Sequence, residues 1–180
     1  SIEIDAIESI VFENVSFSYP NTQNQVLSNV SFCIKTGQKV GIIGKNGGGK
    51  TTIIKLILRL YKPTSGRIMI NDIDIQEYKI SSYYQLISSF MQEYVNYSFD
   101  LKENIQTANI YKKATADNVL EVCKKSDAYS FVSTWENGVN EYLTKSFDAT
   151  GKELSGGQWQ TIALARFFYR DAKFKILDEP

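Results

Sequence analysis

The segment Gly44-Lys45-Asn46-Gly47-Gly48-Gly49-Lys50-Thr51-Thr52 follows the apolar run Val40-Gly41-Ile42-Ile43 and precedes a helix-like run over residues 53–60. A glycine, four arbitrary residues, Gly-Lys and then Ser or Thr, set between a strand and a helix, is the pattern of a phosphate-cradling loop. Phosphate needs close backbone approach, which side chains would block. Glycines remove that obstacle, so successive N–H groups can turn inward as a concave anion nest. A helix starting near Gly49 adds its positive end, roughly half an elementary charge, at the same point. In this reading Gly44, Lys45, Asn46, Gly47, Gly48, Gly49, Lys50, Thr51 and Thr52 line the cradle. Lys50 reaches the β- and γ-phosphates, and the Thr51 hydroxyl holds Mg²⁺. The competing reading is a flexible glycine-rich turn. The coincidence of glycines, lysine, threonine and strand-to-helix context argues against it.

A chain of 180 residues can bury one substantial core, or one core with a small appended subdomain. Acidic and basic residues balance at 20 each, so no whole-chain field draws it to nucleic acid or anionic lipid. Cys33 and Cys123 lie far apart and form no metal-like cluster, which fits free thiols in a reducing compartment, with a disulfide as the alternative. No apolar run reaches the roughly 18 to 20 residues that span a bilayer, because Lys55 and Arg59 interrupt the most hydrophobic stretch. The chain begins with Ser1 and stops at Pro180 directly after an apolar run, and reads as a piece of a longer protein. It contains no histidine.

Along the chain, residues 10–19 alternate apolar and polar with one slip near Asn14, as a strand with a bulge does. Residues 26–35 alternate again, and the two segments predict an antiparallel pair. A short buried strand over 39–43 leads into the phosphate loop, and a helix runs from about residue 50 to residue 61. Pro63-Thr64-Ser65-Gly66 is a turn. Residues 67–75 predict a strand with a kink at Asn71-Asp72, residues 79–85 are ambiguous, and residues 86–91 predict a buried strand ending at Gln92. The pattern is helical over 101–142, and a further helix spans 155–169. A final strand over 174–177 delivers Asp178 and Glu179 at its carboxyl end.

That last strand narrows the chemistry, because two carboxylates at a strand end are what a Mg²⁺-nucleotide enzyme requires. Asp178 would bind the ion, through a water, since Mg²⁺ keeps part of its hydration shell. Glu179 would orient and deprotonate the attacking water. The competing reading is a surface acidic turn after a core strand. Lys175, polar within the strand, would snorkel to an exposed face.

A third constellation, Leu154-Ser155-Gly156-Gly157-Gln158, lies between the phosphate loop and Asp178-Glu179. With it the chain resembles the nucleotide-binding domain of an ATP-binding cassette (ABC) transporter over nearly its whole length, in motif order as well as in the motifs. A serine and two glycines at a helix start also make a second anion site on physical grounds alone. The resemblance implies that the two phosphate-facing surfaces meet across a head-to-tail dimer. Each ATP would lie between Lys50 of one copy and Ser155, Gly156, Gly157 and Gln158 of the other.

The same resemblance implies two more site residues. Tyr19 stands where the family stacks an aromatic ring on adenine, typically worth about 1–3 kcal/mol per base; a strand-end tyrosine packed on the core is the alternative. Gln92 stands where the family's glutamine touches Mg²⁺ or the attacking water and links ATP to the membrane partner; a plain strand-terminal polar residue is the alternative. Residues 147–153 resemble, more weakly, an exporter segment that meets transmembrane helices. The family also has a histidine beyond Asp178-Glu179 that contacts the γ-phosphate, followed by a loop at the dimer interface. This chain carries neither, so one edge of the core sheet is expected to be open. Trp159 departs from the smaller or basic residue that often follows the signature, and is expected to pack on the helical insertion.

The expected fold is α/β, a P-loop NTPase of the ABC ATPase type, with an N-terminal antiparallel β portion, a parallel core sheet and a helical subdomain. Residues 1–91 and 155–180 would form the core with its β portion, residues 92–154 the helical subdomain, and the C-terminal part of the domain would be absent. The expected function is ATP binding and hydrolysis, with Mg²⁺, that powers export across a membrane. Gln92-Glu93-Tyr94-Val95 with Leu101-Lys102-Glu103-Asn104-Ile105 resembles exporters with fused transmembrane segments, including peptide and bacteriocin exporters. The implied partners are a transmembrane domain of the same transporter and a second nucleotide-binding domain, with no nucleic acid. The implied location is the cytoplasmic face of the cell membrane. The rival readings are a soluble ABC ATPase acting on nucleic acid or ribosomes, and a fragment that binds ATP without hydrolysing it.

Overall fold

The computed structural model describes residues 1–178, and its contacts divide the chain into two compact units, the first ending at Ile87 and the second starting at Ser88. Each is built by its own sequence logic.

The first unit holds β1 (Ser9–Ser18), β2 (Gln25–Lys35), α1 (Lys50–Ile57), β3 (Ser65–Ile70), β4 (Ile73–Asp74) and the short helix α2 (Ile80–Gln85). Its sheet has the order β2-β1-β3-β4, and every pairing is antiparallel. Phe12 in the middle of β1 faces Phe32 on one side and Ile68 on the other. The alternation of β1 buries Ile10 and Phe12, slips once, and then buries Val15 and Phe17. The slip falls at Asn14, whose φ of 49° is the left-handed turn of a bulge, and the register with both neighbours shifts there. Asn71 and Asp72, at φ 50° and 64°, form the two-residue turn between β3 and β4. Two consecutive positive φ values match the twist of a tight hairpin.

Helix α1 stops four residues short of the expected end. Arg59 takes a left-handed φ of 55°, and the N–H groups of Arg59 and Leu60 donate back to the carbonyls of Leu56 (3.0 Å) and Lys55 (2.9 Å). That is a Schellman closure, with arginine in the place glycine usually takes. The Arg59 guanidinium donates to the Tyr78 carbonyl at 2.8 Å, which holds the residue in this conformation. The Tyr83 and Tyr84 hydroxyls donate to the last α1 carbonyls, those of Ile57 (2.8 Å) and Leu58 (2.6 Å). Burial pushes the Tyr83 phenol far above its ordinary range.

One expected strand does not form. Residues 39–43 have no regular secondary structure, and Val40, Ile42 and Ile43 are 53%, 41% and 98% exposed. A strand's N–H and C=O groups are satisfied only by neighbouring strands, and a parallel strand is stable when neighbours and both faces are covered. Among the described residues of this unit, the antiparallel sheet does not take the segment in, so its apolar character alone does not make it a strand.

The second unit holds β5 (Ile87–Phe90, which begins at the division), α3 (Leu101–Gln106), α4 (Ala116–Lys125), α5 (Tyr129–Val132), α6 (Gly156–Tyr169) and β6 (Phe174–Leu177). Leu101 and Ile105 of α3, Val119, Val122 and Cys123 of α4, Leu143, and Trp159, Ile162, Ala165 and Tyr169 of α6 form one buried cluster. Trp159 is thus packed among the helices, as expected. Ala163 and Phe167, also on α6, pack instead with Phe90 of β5. Helix α6 is therefore apolar on two sides, which its single repeating stripe does not announce. β5 and β6 pair as a two-stranded sheet, and the Asp178 N–H donates to the Phe90 carbonyl at 3.0 Å. Lys175 is exposed, with its ammonium 6.0 Å from the Phe167 ring.

Both cysteines are free thiols, Cys33 exposed and Cys123 buried. Burial pushes the Cys123 thiol up to about 12. No helix among the described residues is long and apolar enough to cross a membrane.

Candidate functional site

The first unit presents the phosphate-type loop. Gly47 and Gly49 take φ values of 78° and 86°, and Gly49 is the N-cap of α1. A Cβ at Gly49 would sit 2.6 Å from Leu27 Cδ2, so both the backbone conformation and the space there require glycine. A Cβ at Gly48 would come within 2.8 Å of the Lys45 carbonyl oxygen, the acceptor of the Gly48 N–H at 2.9 Å. Gly44, Lys45, Asn46, Gly47 and Gly48 are exposed, Gly49 is buried, and Lys50 and Thr51 are half-buried. The loop is therefore open on the side where side chains would otherwise stand.

Lys50 begins α1, and its ammonium donates to the Gly44 carbonyl at 2.9 Å and the Lys45 carbonyl at 3.1 Å. The lysine thus curls over the loop that precedes it. An anion entering the loop would meet this charge together with the first-turn N–H groups of α1. Thr52 is buried, and its hydroxyl lies 3.0 Å from the Tyr19 hydroxyl. Tyr19, half-buried just past β1, makes edge contacts with Phe17 (5.0 Å) and Tyr61 (5.2 Å). The Lys55 ammonium lies 5.7 Å from the centre of the Tyr19 ring. The aromatic residue and the phosphate-type loop are thus joined by a side-chain hydrogen bond within one unit. The sequence carries no signal for that link, because Tyr19 and Thr52 lie 33 residues apart and are brought together only by the fold.

The second unit presents the other helix start. Ser155 is the N-cap of α6: its hydroxyl accepts from the Gln158 N–H at 3.2 Å, and the Gln158 side-chain oxygen accepts from the Ser155 N–H at 2.9 Å. This reciprocal box explains the spacing of serine and glutamine on local grounds. Gly156 and Gly157 occupy the first two helical positions, both exposed, and a Cβ at either would meet nothing within 4 Å. The glycines are therefore not required by contacts within the chain, and what they leave is open backbone at a positive helix end.

Gln92 is exposed, two residues past the end of β5. Asp178 is buried, 5% exposed, at the carboxyl end of β6. Glu179 lies outside the described residues. No group of three His, Cys, Asp or Glu side chains among the described residues could hold a metal ion. Mg²⁺ takes one or two carboxylate or hydroxyl ligands and completes its shell with water and phosphate oxygens. Thr51 in one unit and Asp178 in the other are donors of that kind.

Residues that the sequence reading passed over also stand near these positions. Arg166 lies one turn after Ile162 on α6, is only 9% exposed, and donates to the Val95 carbonyl at 2.7 Å. Its spacing from Ile162, four residues along the apolar face, is the signal that could have marked it as buried.

Comparison with known proteins agrees with these features. The family model described as ABC transporter matches residues 27–180. The subtilin transport ATP-binding protein SpaT of Bacillus subtilis is 41% identical over 98% of this chain, which spans 29% of that protein. The ATP-dependent lipid A-core flippase of Methylobacillus flagellatus is 33% identical over 95% of this chain, which spans 28% of it. Among solved structures, a bacterial Atm1-family ABC exporter with ATP bound superposes with a TM-score of 0.83, at 27% identity, over 96% of this chain and 29% of that one. With a glycine-capped phosphate loop, a serine-capped second helix start and a family match over most of its length, the chain belongs to the ABC transporter family, as an ATP-binding domain of the exporter type.

Proposed function

We propose that this domain binds Mg-ATP and hydrolyses it, within a longer protein, to drive export of a peptide across a membrane. The observation that carries the reading is the pair of glycine-bearing helix starts, Gly49-Lys50 and Ser155-Gly156-Gly157, on one short chain. In this reading residues 1–91 and 155–180 make the catalytic core, and residues 92–154 the helical subdomain. Residues 44–52 hold the phosphates, with Lys50 on the β- and γ-phosphates, and Tyr19 stacks on adenine. Thr51, Gln92 and Asp178 address Mg²⁺, which when bound draws charge from the phosphate oxygens. Glu179 takes a proton from the attacking water as that water bonds to the γ-phosphorus and ADP leaves.

Ser155, Gly156, Gly157 and Gln158 grip the nucleotide of a second copy in a head-to-tail dimer. A single neutral helix end offers an anion little on its own, so its use requires a phosphate already fixed by another site. The membrane partner is a transmembrane domain of the same transporter, and the domain works at the cytoplasmic face of the membrane. The peptide assignment rests on the exporter-like run from Gln92 to Ile105. In its support, the 41% relative is named for the transport of subtilin.

The test is Glu179→Gln in the full-length protein. The expected outcome is an ATP-bound dimer by light scattering with phosphate release lowered by about 10²-fold or more, the scale of a lost general base. Normal turnover in that variant removes Glu179 as the base.

A further inference from the structure

Between the end of β5 and the bridge of Asp100 with Tyr142, residues 91–99 form neither helix nor strand. A segment of this length must be fixed by side chains, because it has no ladder of its own. The Tyr94 hydroxyl donates to the carbonyl of Gly156, in the first turn of α6, at 3.1 Å. Arg166, ten residues further along α6, donates to the Val95 carbonyl at 2.7 Å, with its guanidinium 5.2 Å from the Tyr97 ring. The Asn104 amide then donates to the carbonyls of Tyr97 (3.0 Å) and Phe99 (3.2 Å).

The strap that follows Gln92 is therefore tied to α6 through two adjacent residues, by the Tyr94 hydroxyl on the Gly156 carbonyl and by the Arg166 guanidinium on the Val95 carbonyl. Two ties to one helix restrict rotation of the strap, where a single tie would leave a pivot. Arg166 also needs a reason to be buried. An apolar residue at this position would pack α6 without desolvating a charge. Burial holds the Arg166 guanidinium below its usual range, which adds to the same point. What the arginine adds is the attachment of the strap.

We propose that Tyr94 and Arg166 are positioning residues that join Gln92 to the start of α6, so that the γ-phosphate contact in one site and the grip of Ser155-Gly156-Gly157 on the other move as one body. This rests on the reading of Gln92 and Ser155 given above. Neither Tyr94 nor Arg166 need touch nucleotide. Their effect falls on steps that require both sites, and spares binding to the phosphate loop alone.

The experiment uses the full-length protein and compares Tyr94→Phe, Arg166→Lys and Ser155→Ala. Two quantities are read in each: the ATP concentration that half-saturates turnover, and the Kd for ADP, which engages the phosphate loop without the opposing helix start. Tyr94→Phe keeps the ring and its packing, so it serves even where Arg166→Lys folds poorly. Expected are a rise of about fivefold in half-saturating ATP for Tyr94→Phe, the scale of one lost hydrogen bond, and an unchanged ADP Kd. If Ser155→Ala raises half-saturating ATP and Tyr94→Phe does not, the strap is only structural and the proposal is overturned while the site reading stands. If Ser155→Ala also has no effect, the opposing-site reading fails and takes the proposal with it. A parallel rise in the ADP Kd of Tyr94→Phe points to general damage and equally overturns it.

Discussion

Two glycine-rich helix starts can be compared within this one chain. The start of α1 is capped by Gly49 in a left-handed conformation, has Lys50 folded over it, and has blocked Cβ positions at Gly48 and Gly49. The start of α6 is capped by Ser155 in a reciprocal box with Gln158, carries no charged residue in its first turn, and has glycines surrounded by open space. The first combines the elements of an anion site: a lysine, a glycine loop and a helix end. The second has only the helix end. Nothing within 4 Å of either of its glycines forbids a side chain there. Under the function proposed above, the difference separates a site that binds alone from one that completes a site made elsewhere.

The largest expected effect comes from removing the charge that sets the two apart. Lys50→Ala should weaken Mg-ATP binding by about 10²-fold, as loss of charge-assisted hydrogen bonds to phosphate implies, measured by calorimetry. An unchanged affinity would erase the distinction. Gly49→Ala should come next. A left-handed alanine with its Cβ against Leu27 costs roughly 1–2 kcal/mol or more, to be read as a lowered denaturation midpoint together with weakened ATP binding.

The smallest effect belongs to the second start. Ser155→Ala should cost about 1 kcal/mol of helix capping, seen in the same denaturation measurement, and leave ADP affinity unchanged. A large loss of ADP affinity would mean that the α6 start contributes to binding within its own chain, contrary to the comparison.

Elements fixed by local chemistry were legible in the sequence. The bulge at Asn14, the cap of α6 at Ser155 and the strand delivering Asp178 all follow from residue type and spacing over a few positions, whereas Asn71-Asp72, expected as a kink within one strand, is the turn of a hairpin. The end of α1 was not legible, because arginine in a left-handed cap is stable only where the Tyr78 carbonyl receives its guanidinium. The segment over 39–43 failed for the opposite reason. Its composition suits a buried strand, but strand formation depends on a neighbour with free ladder groups, which periodicity cannot report. At the site, the phosphate loop and the α6 start were readable as motifs, whereas the Tyr19–Thr52 link and the strap over Tyr94 and Val95 join residues remote in sequence.

The sequence by itself determined the chemistry on offer: a glycine loop with its lysine, a serine-capped helix start, carboxylates after an apolar run, and the order in which they come. These depend on hydrogen bonds and backbone freedom within a few residues, and such interactions are nearly independent of the rest of the fold. Only the tertiary structure decided how those pieces are held. Lys50 turned onto its own loop, Tyr19 pinned to Thr52, Arg166 buried to reach Val95, and α6 packed on two sides all arise from contacts between distant segments. Such contacts exist only after the chain has paid the entropy of bringing those segments together.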